Sequence, residues 1–201
     1  MKKHKKMLGQ IGRSTIEMIG VLTIMAILTI VGIAGYSKAL PKHKMSKLAD
    51  QTALIIANIR AAYAIKDDYT GLDTDAAIEM GTIPVEMIKK SQDGTTKIVT
   101  NAFGGRVFVM PAENNRSVFI TMAGLPTNAC VYLASSDWGG QLGAGLISVA
   151  SVVQAAETPI NVQLEENIGF SENKTLPLSP VKATPGCSGL GNTNAVIIQY
   201  H

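Results

Sequence analysis

Between Glu17 and Lys38 the chain carries an unbroken run of uncharged residues, Met18 to Ser37, most of them Ile, Leu, Val, Met, Ala or Gly. Wound as an α-helix at about 1.5 Å per residue, the run is about 30 Å long, the thickness of a bilayer's hydrocarbon layer, so it reads as a membrane-spanning helix. One carboxylate, Glu17, stands at its head. A charge at the mouth of such a helix costs free energy unless something pairs with it, which makes the partner of Glu17 the functional question.

The segment ahead of it, Met1–Gly12, is short and basic, with Lys2, Lys3, Lys5 and Lys6. In a secretory signal the small-residue cleavage site follows the apolar core. Here Gly12 precedes that core, so a cut after Gly12 removes the charged leader and keeps the apolar helix at the new N-terminus. Gly12, then Glu17 as the fifth residue beyond it, then the long apolar run: together these resemble the class III leader of type IV prepilins. The resemblance implies that a membrane-embedded prepilin peptidase cuts after Gly12, that Arg13 becomes the N-methylated first residue, and that Glu17 is the assembly carboxylate. The family usually has Phe, Met or another apolar residue where this chain has Arg13, which keeps the amine and adds a charge beside it.

The chemistry of Glu17 agrees with that role. In a filament whose apolar helices pack together away from water, a free α-ammonium and a carboxylate each lack a partner within their own chain. If Glu17 of an incoming subunit meets the amine of Arg13 on its neighbour, each desolvated charge is compensated and the pair acts as a register key. The plainer alternative is a solvated Glu17 at the membrane edge, with Gly12 an ordinary turn.

The rest of the chain is large enough for one globular domain. It has 201 residues, 46% hydrophobic and 16% charged. The formal charge of +3 depends on the leader; without its four lysines the chain is slightly acidic. Basicity therefore gives no reason to expect nucleic acid as a partner. Lysines 38, 42, 44 and 47 nearly balance those of the leader, so charge asymmetry decides the orientation of the span poorly. The cysteines decide it better. Cys130 and Cys187 are far apart, outside any CxxC and without a neighbouring His, which fits one structural disulfide in an oxidising compartment better than a zinc or redox site. That places residues 38–201 outside the cytoplasm; the alternative is two buried thiols.

Beyond the span, Leu48, Thr52, Ile55, Ile59, Ala62 and Ile65 recur at three- and four-residue steps, an amphipathic pattern that carries the helix to about residue 67. Pro41, with Gly32 and Gly35 nearby, marks its weak point and the expected kink. A break at Ala39 followed by a separate second helix is the alternative. In the pilin family this zone kinks or melts when subunits pack. A polar connection follows over residues 68–101, with short helical turns expected near 75–80 and 85–90. Period-two strands follow at 106–110 and 116–122, joined by the turn 111–115, and a short helix at 125–134 opens at Pro126. Strands are also expected at 160–164 and 195–200. The fold class is α+β: one long helix packed along an antiparallel sheet.

The second half resembles the family more weakly. Asn101–Gly105, the strand through Phe119–Met122, and Gly124-Leu-Pro ahead of Cys130 are similar to the globular domain of type IVb and PilS-like pilins, and the long segment between the cysteines favours that branch. Residues 139–180 match no pattern. Four parts result: a leader over 1–12, a transmembrane and filament-core helix over 13–37, its amphipathic continuation over 38–67, and an extracytoplasmic domain over 68–201 with one disulfide.

Enzymatic readings find no support. His4, His43 and His201 lie far apart, and there is no G-x-S-x-G and no Walker-type loop. The run Gly186–Gly191 lacks the strand before it and the helix after it that phosphate binding needs, and reads as a turn. Trp138 reads as a packed residue, or with Asp137 as an exposed binding contact. Asn115 and Asn173 begin glycosylation sequons, a frequent chance match. No cofactor or metal is expected. The reading is a pilin that polymerises through its N-terminal helix, passing from the inner membrane to an extracellular pilus. The resemblance implies a prepilin peptidase, an assembly ATPase and an inner-membrane platform as partners. A minor pilin or type II secretion pseudopilin is one alternative, and a single-pass anchored binding domain that never polymerises is the other.

Overall fold

The computed structural model of the chain describes residues 15–66, 68–91, 93–112, 115–138, 145–153, 169–172 and 176–201. Gly12, Arg13, the whole leader, the expected strand at 160–164 and the Asn173 sequon lie outside the described residues. Two compact units meet between Lys42 and His43.

The first helix, α1 (Thr15–Ala62), runs through both units and stays helical through Pro41. Leu, Ile, Met and Ala dominate it, Glu17 in its first turn and Arg60 in its last complement the helix dipole, and its hydroxyls cause no break. Thr23, Thr29 and Ser37 donate back to the carbonyls of Ile19 (2.8 Å), Met25 (2.8 Å) and Ala34 (3.1 Å), so each polar side chain is satisfied within the helix. The alternative of two separate helices is not what forms. The helix stops five residues earlier than its periodicity suggested. Tyr63 closes a turn, stacks on Tyr69 with ring centroids 5.1 Å apart, and leaves Ile65 fully exposed. Ala62 is exposed as well, so the buried stripe ends with Ile59 and Tyr63.

In the second unit α1 buries Leu48, Gln51, Thr52, Ile55, Ile56 and Ile59. These positions repeat every three to four residues and share one core with alternate residues of a five-stranded antiparallel sheet. The sheet comprises β3 (Val107–Pro111), β4 (Val118–Leu125), β5 (Leu146–Val153), β6 (Gly169–Glu172) and β7 (Asn194–Tyr200), in the order β3-β4-β7-β5-β6. Ile120, Met122, Val196, Ile198 and Tyr200 belong to the core shared with α1. Their neighbours along the strands, Ala123, Ala195 and Ile197, join Phe108 and Ala150 in a second cluster on the opposite face. That is the period-two alternation of a sheet covered on both faces. β7 lies between β4 and β5, so the last strand along the chain is central.

The connection after α1 forms α2 (Thr74–Glu79), capped by the Asp73 carboxylate accepting from the Ala76 N–H at 2.7 Å. A 3₁₀ turn follows at Val85–Met87. Residues 88–90 are a strand rather than the end of that turn: β1 (Ile88–Lys90) pairs with β2 (Lys97–Val99) in a small hairpin whose loop holds Asp93-Gly94. The Asp93 carboxylate accepts from the Thr95 and Thr96 N–H groups and the Thr96 hydroxyl, which holds it down at about 2. α3 (Thr127–Ala134) opens after Pro126, as the sequence indicates. α4 (Pro180–Ala183) and a 3₁₀ turn at Pro185–Cys187 complete the domain.

Candidate functional site

Residues Ile16 to Tyr36 of α1 expose thirteen large apolar side chains, each between 55% and 76% accessible. They lie on every side of the helix, with no stripe left polar. A helix apolar all round needs an apolar surrounding, and at about 1.5–3 kcal/mol per buried side chain these thirteen are worth tens of kcal/mol against water. Lipid and a bundle of like helices both satisfy that requirement. Glu17 sits at the head of this surface, exposed, and among the described residues it has no ion-pair partner. Pro41 has no N–H to offer the carbonyl one turn before it, so the helix lacks one hydrogen bond there.

Cys130, on α3, and Cys187, in the 3₁₀ turn, are fully buried and bonded, with Cα atoms 5.7 Å apart. The bridge spans 57 positions and encloses β5, β6 and α4. Ser151 on β5 donates to the Ala183 carbonyl at 3.0 Å, and Gly186 packs so closely on the Ser151 carbonyl that a Cβ there would collide with it. Gly186–Gly191 is thus a turn packed at Gly186 and Cys187 and exposed from Ser188 onward, except for half-buried Gly189. Asn194 joins the same region: its amide donates to the carbonyls of Leu125 (3.0 Å) and Gly189 (3.2 Å) and accepts from the Gly189 N–H at 2.8 Å.

Trp138 is a core residue. Its indole N–H donates to the Leu133 carbonyl at 3.0 Å, it is 2% exposed, and its own carbonyl accepts from the Tyr200 hydroxyl at 2.9 Å. This corrects the alternative of an exposed Trp contact. Burial, with the Asp137 charge, pushes the Tyr200 phenol up to about 12 despite the Arg60 guanidinium 5.7 Å from its ring. Burial likewise raises Tyr69 and Tyr63.

Asn101–Gly105 also has a physical role. The Asn101 side chain donates to the Ala123 carbonyl at 2.7 Å and accepts from the N–H groups of Phe103 and Gly105, which fixes the loop against β4. Any Cβ on Gly105 would run into the Ala123 carbonyl. His43 and His201 are exposed, and among the described residues no three or more His, Cys, Asp or Glu side chains gather where they could hold a metal.

Residues 42–201 match the family described as PilS N terminal. The chain belongs to the PilS pilin family. Among curated relatives of this PilS-family chain are two proteins named major structural subunit of bundle-forming pilus, from Escherichia coli O111:H- and from Escherichia coli O127:H6 (strain E2348/69 / EPEC). Each is 28% identical over 203 aligned positions, covering 97% of this chain and 94% of the relative. Solved structures with a similar fold include a type IVb pilin from Salmonella typhi (16% identity, TM-score 0.48, 76% of this chain and 96% of that one). TcpA, a type IV pilin from Vibrio cholerae El Tor biotype, is another (17% identity, TM-score 0.48, 78% and 98%).

Proposed function

We propose that the chain is the repeating subunit of a type IVb-like pilus, cut after Gly12, N-methylated on Arg13 and polymerised through α1. The observation that carries this reading is the all-round apolar surface of residues 16–36 with one carboxylate, Glu17, at its head, in a member of a pilin family. Relatives named as major subunits of a pilus support a repeating role over a minor one. A prepilin peptidase removes the leader. An assembly ATPase acting through an inner-membrane platform lifts the helix from lipid into the filament, while the domain stays outside the cytoplasm throughout.

The transfer is driven by little apolar free energy, because lipid and the filament core are similarly apolar. Packing and the pairing of Glu17 with the neighbour's amine then favour the polymer. The free amine at a helix N-terminus faces the positive end of the dipole, so a carboxylate from the next subunit compensates both. Pro41 is the point at which the helix yields as subunits pack. In cells with an active prepilin peptidase, intact mass measurement should find the chain lacking residues 1–12 and carrying one extra methyl group. Glu17→Ala should fold and insert normally yet yield no sheared filaments. Abundant filaments from Glu17→Ala would refute the pairing, and a retained leader would refute the processing.

A further inference from the structure

Between Lys66 and Lys89 the chain has six carboxylates and neither Lys nor Arg. Asp68 and Asp73 each use an oxygen to accept from an N–H group, of Thr70 at 3.1 Å and of Ala76 at 2.7 Å. Asp75 and Glu79, exposed on α2, have no ion-pair or side-chain hydrogen-bond partner among the described residues. Four positions apart, they share one side of the helix, with Cβ atoms about 5–6 Å from each other, and their like charges repel. The β1–β2 hairpin carries the opposite charge. Ile88 and Val99 face each other where it joins the core. Two positions outward on the same face, Lys90 stands directly opposite Lys97, with Cβ atoms about 4.5–5.5 Å apart. Both are exposed, like charges so placed are unfavourable, and no carboxylate among the described residues pairs with either. Asp93 at the turn is already held by Thr95 and Thr96. The core-facing side of the hairpin thus runs on past the domain and ends in two uncompensated cations.

We infer that this overhanging face of the β1–β2 hairpin docks on α2 of a second copy, Lys90 and Lys97 against Asp75 and Glu79, and so joins the outer domains of a filament head to tail. Charge and spacing both select that occupant: the two cations stand about as far apart as the two anions, and the repulsion within each pair is relieved by the other pair. The patches lie on different elements of one domain, so the contact is heterologous. It leaves a free hairpin at one end of an assembly and a free α2 at the other, and repeats along an open filament when the rotation does not close. Complementary charges at the contact fix its register. The inference rests on the polymer reading above and adds to it a contact outside the apolar helix.

The test uses the full chain in cells that assemble it, with sheared filaments as the readout and Trp138 emission as the check on folding. Lys90→Glu with Lys97→Glu should lose filaments, and so should Asp75→Lys with Glu79→Lys. All four substitutions together exchange the charges and should restore them. Normal filament yield from either pair alone overturns the inference and assigns the lysines to a partner other than a second copy. A folded fourfold variant that stays without filaments overturns it too. A second measurement leaves the charges of most subunits in place: a Lys97→Cys chain and a Glu79→Cys chain are produced together with the parent, and the filaments are treated with a short bismaleimide. The native cysteines are bonded and buried, so only the new thiols react. Mass spectrometry should find position 97 linked to position 79 of another chain. Links of 97 to 97 alone would make the contact isologous and overturn the inference. A parent that forms no filaments removes the polymer reading and this contact together, whereas filaments in which 97 and 79 never link remove the contact alone.

Discussion

Replacing Cys130 and Cys187 together by alanine removes the bridge and leaves no odd thiol. The bond closes 57 positions, and the loop-closure entropy it takes from the unfolded chain corresponds to about 4 kcal/mol at 25 °C. The folded state offers a built-in reporter: the one tryptophan, Trp138, is buried and donates to Leu133, three residues beyond Cys130 on α3. Urea titration of the full chain in detergent, followed by Trp fluorescence, should therefore show the same folded emission and a lower midpoint. With a slope of about 2 kcal/mol/M, the midpoint should fall by about 2 M. The reducing-agent arm makes the comparison internal, since the reduced parent should move to the midpoint of the variant. A drop below about 0.5 M would refute the reasoning. It would mean that β5, β6 and α4 are held as firmly in the unfolded ensemble without the bond, and that the bridge contributes little by restricting it.

Ile55→Ala, at a fully buried position against the sheet, should cost about 2–5 kcal/mol of domain stability in the same urea assay. Ile33→Ala, at a position 64% exposed, should leave the domain midpoint unchanged. Tyr200 titrates at about 12 in the fold against 10.0 ordinarily, so its contribution is complete below pH 10 and is lost as the pH rises toward 12, where the unfolded chain has already released its proton. Tyr200→Phe should flatten the parent's fall in urea midpoint over that window, and parallel curves would contradict the burial argument. Gly105→Ala should lower the midpoint or prevent folding by driving its methyl group into the Ala123 carbonyl, and an unchanged midpoint would show that the loop has room to shift.

The parts of the fold legible in the sequence are those whose pattern repeats or whose end carries a chemical mark. The apolar run, the Leu48–Ile59 face, the β3–β4 hairpin, the helix after Pro126 and the final strand all announce themselves by period, by proline or by both. The cysteine pair was legible because two isolated cysteines leave few alternatives. Periodicity misled at Ala62 and Ile65, because what ends α1 is the inward turn of Tyr63 onto Tyr69, a contact with a residue six positions away. β1 and β2 are three residues each, half of them exposed, and too short for alternation to show; the local mark of a hairpin there is Asp93-Gly94. β5 was missed although Leu146–Val153 is rich in Val and Ile, since the glycines ahead of it obscured where a strand begins. Asn194 stayed hidden for another reason, and Asn101 stood out only through the resemblance, without its role. Their importance lies in carbonyls of distant segments, Ala123 and Leu125, and no local pattern encodes that.

The place of β7 makes the sheet depend on a single strand. Asn194–Tyr200 joins the β3–β4 pair on one side to the β5–β6 pair on the other, so a substitution that unpairs it would split the sheet into two hairpins with no backbone ladder between them.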